Sequence, residues 1–168
     1  LLTQIEVSRD DPAFAQPQKP IGPVYRDSEA ERARAEHGWP MLQEERGEWR
    51  RVVPSPLPKR IIQIDVIRLL VEEGVVTICA GGGGIPVIQN ESGDFEGVEA
   101  VIDKDRAAGL LAEELAVDAF LMLTDVDAVY FGWGTPDQSP IRQATPAELS
   151  AMRFAPGSMG PKVEAACA

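Results

Sequence analysis

The sequence predicts an α/β fold built on a doubly wound, mainly parallel sheet, and three observations lead there. Residues 61–74, IIQIDVIRLLVEEG, space their apolar side chains at helical intervals and stop at Gly74. VVTICA (75–80) follows at once, short, β-branched and continuously apolar, the pattern of a parallel strand covered on both faces. RAAGLLAEEL (106–115) then precedes a second such run, AFLMLT (119–124), so helix and buried strand alternate.

The elements can be taken in order along the 168 residues, a length that suits one core and an appendage. Leu2, Ile5 and Val7 read as a strand; the first residue is Leu1, not Met, and the chain reads as a fragment cut within elements at both ends. Residues 11–58 hold eight of the 14 prolines and two of the three tryptophans, and they form the appendage. Within it, DSEAERARAEHG has Ser28 placed to cap a helix with Glu31 three residues on, and Gly38 placed to end it. WPMLQEE and WRRVVP read as a pair of short strands. Residues 59–168 carry the alternating α/β pattern, with a capping box at Thr145 and Glu148, Pro146 at the first helical position, and helix-forming sequence from Val163 to the end.

Composition excludes several classes of function. A net charge of −11 opposes a nucleic-acid partner, because backbone phosphates would meet an acidic surface. No stretch approaches the length of a membrane span. Cys79 and Cys167 have neither metal-ligand spacing nor a disulfide framework, which suits a reducing cytoplasm. His37, the only histidine, ends the appendage helix, so no histidine-dependent triad is available within these residues, and Pro156 stands where a nucleophile elbow around Ser158 would need glycine.

The chemistry-bearing residues gather after the predicted strands, where open α/β sheets bind ligands. Gly81, Gly82, Gly83 and Gly84 follow VVTICA and match neither the Walker loop nor the dinucleotide fingerprint; they read either as a backbone anion site or as a tight turn. TDVDAVY places Thr124, Asp125 and Asp127 at the end of AFLMLT, where polar groups can meet a base or sugar or simply cap a turn. Only four of the 16 basic residues are lysines, and three of these, Lys19, Lys104 and Lys162, lie in motifs. GVEAVIDKD sets Asp103, Lys104 and Asp105 just before a helix, where a carboxylate suits the dipole and a lysine calls for an anion. GSMGPK sets Lys162 in the first turn of another helix, the arrangement of an anion site.

Taken in order, QKPIGP, WRRVVPSPLPKRI, ICAGGGGIPVI, GVEAVIDKD, LTDVDAVY and FAPGSMGPKVEAA resemble the carbamate kinase family of the amino-acid kinase superfamily over nearly the whole chain. The resemblance implies a three-layer α/β sandwich, with 11–58 as a projecting α+β lid subdomain and 59–168 as the nucleotide-binding portion. It implies reversible phosphoryl transfer between carbamoyl phosphate and ADP in fermentative arginine catabolism, by a cytoplasmic homodimer with ATP or ADP as substrate and Mg²⁺ carried on the nucleotide. Lys19, Lys104 and Lys162 would surround the phosphates, and Asp105 would organise the lysines. Thr124, Asp125, Val126, Asp127, Tyr130, Phe154, Met159 and Gly160 would line the nucleotide pocket, and Gly81 to Gly84 would approach the carbamoyl phosphate; no metal ligand set is implied. The sequence departs from the family in two respects: the N-terminal half is absent, so the fragment alone is expected not to catalyse, and the stretch before Phe154 is short. Another amino-acid kinase acting on an acyl carboxylate, and an inactive nucleotide-binding module, are the alternative readings.

Overall fold

The computed structural model describes residues 1–44, 47–155 and 159–168. Glu45 of WPMLQEE and the 156–158 part of FAPGSMGPK, Ser158 included, lie outside the described residues. Strand β1 (Gln4–Val7) alternates half-buried Gln4 and Glu6 with buried Ile5 and Val7, as a strand with one face on a core requires. A 3-10 turn at Pro12–Phe14, capped by Asp11, leads to β2 (Lys19–Tyr25). Strand β2 tolerates Pro20 and Pro23 because its register shifts between Ile21 and Val24, around Gly22 at φ 68°.

Helix α1 (Asp27–His37) ends as its sequence predicts, with Gly38 in the left-handed conformation donating to the Arg34 carbonyl. Its start differs from the expected Ser28 cap. Arg26 is the N-cap residue, and its backbone N–H donates to the Glu29 carboxylate at 2.9 Å. Asp27 accepts the indole N–H of Trp49 at 2.7 Å, and this anchors the first turn one residue ahead of Ser28. Strands β3 (Met41–Gln43) and β4 (Trp49–Val53) pair antiparallel as expected, and β2 completes a three-stranded sheet in the order β2-β4-β3. Arg34 lies over Trp49 and Arg51 over Trp39, so the two tryptophans are held by cation–π contacts rather than by a deep core.

Strand β5 (Pro58–Ile61) runs antiparallel to β1, and α2 (Ile64–Glu72) follows, buries Ile67 and stops before Gly74. After the glycine turn, β6 (Ile85–Gln89) pairs parallel with β1, and β7 (Phe95–Gly97) closes the four-stranded sheet β5-β1-β6-β7. Helix α3 (Lys104–Leu115) packs on α5 (Met159–Cys167); between them lie the hairpin β8 (Val129–Phe131) and β9 (Ser139–Ile141) and the short α4 (Pro146–Ser150), which has the predicted Thr145–Glu148 capping box. Gly109 permits the close helix approach, since a Cβ there would stand 3.1 Å from the Ala165 carbonyl oxygen. Ile5, Val7, Ile61, Ile67, Ile88, Ile102 and Ala107 form the core.

The α/β class therefore stands, with two local differences. Residues 75–80 and 119–124 form no strand among the described residues, and Val76 and Leu123 are 94% and 93% exposed. Their composition suits a strand, but strand formation is a property of two neighbouring chains. Here residues 75–80 receive only isolated links, such as the Ala80 N–H donating to Thr3 Oγ1 at 2.9 Å. Among the described residues no helix is long and apolar enough to cross a membrane.

The four glycines divide by what surrounds them. A Cβ on Gly83, where φ is 137°, would stand 2.1 Å from the Ile102 carbonyl oxygen, whereas one on Gly82 would meet nothing within 4 Å. Gly83→Ala is expected to destabilise the full-length protein by about 2 kcal/mol or more, and Gly82→Ala by less than about 0.5 kcal/mol. Urea unfolding of both variants checks this contrast; equal stabilities would contradict it.

Candidate active site

The N-terminus of α3 organises the site. Asp103, only 4% exposed, caps that helix by accepting the N–H groups of Asp105 and Arg106 on Oδ1, at 2.9 and 3.4 Å. Its other oxygen, Oδ2, accepts Lys19 Nζ at 2.5 Å, reaching a residue at the start of β2. Burial pushes the Asp103 carboxyl up, but the Lys19 hydrogen bond and charge, with the two backbone amides, outweigh it and hold the group below the usual carboxylate range.

Asp105, in the first turn of α3 and 8% exposed, accepts Lys162 Nζ at 2.9 Å and lies 3.7 Å from Lys104 Nζ. Lys162 enters from the first turn of α5, its side chain 18% exposed, whereas the Lys104 side chain is 62% exposed and makes the longer of the two contacts with Asp105. Arg106 adds a second tie between α3 and α5 through Glu164, at 2.5 Å. Three ammonium groups thus surround two buried carboxylates at the positive ends of two helices. The local balance is one net positive charge plus two helix dipoles, which favours an anion.

These groups line a cleft of about 530 Å³. The predicted residues Thr124, Asp125, Val126, Tyr130, Phe154 and Met159 line it together with Lys19, Lys104, Asp105 and Lys162. Asp127 is exposed and outside the lining, and it accepts the Tyr130 hydroxyl at 2.9 Å; that contact, more than any desolvation, raises the Tyr130 pKa. Gly160 is buried in α5, where a Cβ would press 2.9 Å from the Ala155 carbonyl oxygen, so it acts by allowing that close turn.

The glycine loop is not part of the lining. The N–H groups of Gly81, Gly83 and Gly84 donate within the turn, to Cys79 and Ala80, and Gly83 abuts Ile102 immediately behind Asp103. Gly81 and Gly82 face open space. Sequence reasoning did not assign Asp103, Trp133 or Arg153 to the site, yet all three line the cleft. The DKD spacing held the signal for Asp103: one carboxylate must cap the helix, and the cap oxygen leaves its twin free to pair. Trp133 has a weaker signal in its distance of three residues from Tyr130, which its ring approaches at 5.1 Å.

The lowered Asp103 pKa fixes the sign of an acid response. Its stabilising contribution is fully present above the unfolded aspartate pKa of about 3.9 and is lost as pH falls through the lower folded value. The stability difference between wild type and Asp103→Asn is therefore expected to be flat from neutral pH to about pH 5 and to shrink below about pH 4. Denaturant titrations of both proteins across this range check it; a difference that grows on acidification would contradict the assignment.

Comparison with known proteins bears on the family. The sequence profile of the Amino acid kinase family matches residues 21–168. Carbamate kinases of Haemophilus influenzae and Escherichia coli strain K12 are 54% and 55% identical over 166 residues, covering 99% and 98% of this chain but 53% and 54% of theirs. The chain thus spans about half the length of the curated relatives it matches. A crystal structure of an Aeropyrum pernix K1 protein superposes with a TM-score of 0.90 at 42% identity, covering 99% of this chain and 55% of that one. Carbamate kinase from Giardia lamblia bound to AMP-PNP does so with a TM-score of 0.84 at 40% identity, covering 99% and 54%. On the matched profile and these similarities, the chain belongs to the amino acid kinase family.

Proposed function

We propose that these residues form the nucleotide and phosphate half-site of a carbamate kinase, and that the full-length protein moves a phosphoryl group reversibly between carbamoyl phosphate and ADP. One observation carries the reading: Lys19, Lys104 and Lys162 converge on two buried carboxylates that line a nucleotide-sized cleft. The similarity to carbamate kinases, one of them bound to AMP-PNP, supports both the reaction and the ligand.

In the ATP-forming direction, an ADP β-phosphate oxygen attacks the phosphorus of carbamoyl phosphate in line. The new P–O bond forms as the bond to the carbamate oxygen breaks, and carbamate leaves. No covalent enzyme intermediate is required; the protein contributes alignment and charge. Lys104 and Lys162 neutralise the phosphate oxygens, and Asp105 holds both ammonium groups in place. Residues 11–58 act as a lid that brings Lys19 over the phosphates, and 59–168 form the nucleotide-binding portion. Tyr130, Phe154 and Met159 offer apolar surface to the base, with Thr124, Asp125 and Val126 framing it, while Asp127 acts through the Tyr130 hydroxyl and Gly160 by permitting the close approach to Ala155. The open edge of the loop at Gly81 and Gly82 is where the acyl phosphate would approach.

Asp103 and Asp105 are already paired with lysines, and among the described residues no cluster of three acidic, histidine or cysteine side chains is placed to hold a metal. On the family resemblance, Mg²⁺ enters as part of the nucleotide substrate, bound by its phosphates. A cytoplasmic homodimer working in arginine breakdown completes the reading, supported by the family resemblance and by two free cysteines that suit a reducing compartment.

The full-length protein is expected to form ATP from ADP and carbamoyl phosphate, and, in reverse, to prefer carbamate over acetylglutamate and glutamate as acceptors. No ATP from carbamoyl phosphate would sink the proposal, and preference for another acceptor would move the protein within the family. Lys162→Ala should lower kcat by about 10²–10³-fold with the fold retained by circular dichroism; near-normal turnover would remove Lys162 from the site.

A further inference from the structure

We infer that Asp103 is a positioning residue, whose two carboxylate oxygens tie Lys19 to the N-terminus of α3 and so fix where that ammonium stands over the cleft. The helix alone does not require an aspartate here: serine, threonine or asparagine would cap it comparably. The carboxylate is needed for the second link, from Oδ2 to a lysine 84 residues away in sequence. Both oxygens are thus occupied, and Asp103 acts through Lys19 instead of meeting the reacting atoms itself.

The two ends of this link differ in rigidity. Asp103 is buried, and the preceding Ile102 is 1% exposed with its carbonyl pressed against Gly83. Lys19 has a flexible stem and a side chain 31% exposed, so its head goes where a partner holds it. Two further contacts bring the strand pair that carries Lys19 to the segment leading into Asp103. Arg51 of β4 meets Glu99 at 2.8 Å, and the Val101 N–H donates to the Pro54 carbonyl at 2.9 Å. These contacts set the approach of β2 and β4, whereas the Asp103 carboxylate sets the ammonium.

The effect on rate rests on the kinase reading above, so the test has two arms, both on the full-length protein. Asp103→Asn keeps a capping oxygen and removes the charge; Asp103→Ser is a second variant that retains the cap if the first folds poorly. In the first arm, Lys19 is acylated with an amine-selective reagent and quantified by mass spectrometry against exposed Lys59. Labelling of Lys19 is expected to rise several-fold in the variant while Lys59 stays constant. In the second arm, kcat with ADP and carbamoyl phosphate is expected to fall about 10–10²-fold with little change in KM for ADP, and Asp103→Glu should restore part of it. Unchanged Lys19 labelling would overturn the pairing, and raised labelling with wild-type kcat would reduce it to a structural tether and overturn the positioning role. A wild-type protein without turnover sinks the kinase reading instead, and the labelling arm still decides whether Asp103 holds Lys19.

Discussion

The first turn of α3 is the constraint on which the site depends. Three lysines gathered in a small volume repel one another, and Lys19 and Lys162 give up part of their hydration to stand there. Two buried carboxylates separated by one residue make the gathering possible: Asp103 takes Lys19, and Asp105 takes Lys162 with Lys104 nearby. Because Asp103 is also the helix cap, its position is set by backbone hydrogen bonds rather than by a rotamer alone. The position of the charges is thus inherited from secondary structure.

That turn is held in turn by the packing behind it. Ile102 lies in the core with Ile5, Ile61 and Ala107, and the glycine loop closes on its carbonyl where no side chain would fit. On the other side, Gly109 lets α5 approach α3 closely enough for Lys162 to reach Asp105, and the Arg106–Glu164 pair spans the same gap. Glycines and aspartates here do different work within one arrangement. The glycines bring backbones together, and the aspartates use that proximity to organise charge.

What was legible in the sequence was mostly local. The Thr145–Glu148 capping box, the αL stop at Gly38, the pairing of Met41–Gln43 with Trp49–Val53 and the presence of helices after Asp103 and around Pro161 each depend on residues a few positions apart. The three motif lysines could be singled out, since lysine is rare in an arginine-rich chain. Harder to read was anything that needs a distant partner. VVTICA and AFLMLT have the composition of strands, but a ladder requires a neighbouring chain that composition does not specify. The α1 cap moved to Arg26 because Glu29 and the Trp49–Asp27 contact fix an earlier start than Ser28. The pairing of Asp103 with Lys19 joins residues 84 apart, and only the fold brings them together.

The central claim is that the paired lysines at the α3 and α5 termini form the phosphate end of the cleft. A crystal structure of the full-length protein with a non-hydrolysable ATP analogue tests this most directly. The account predicts terminal phosphate oxygens within about 3.2 Å of Lys104 and Lys162 Nζ, with the base beside Tyr130 and Phe154. A nucleotide bound elsewhere, or one whose phosphates point away from these lysines, would contradict it.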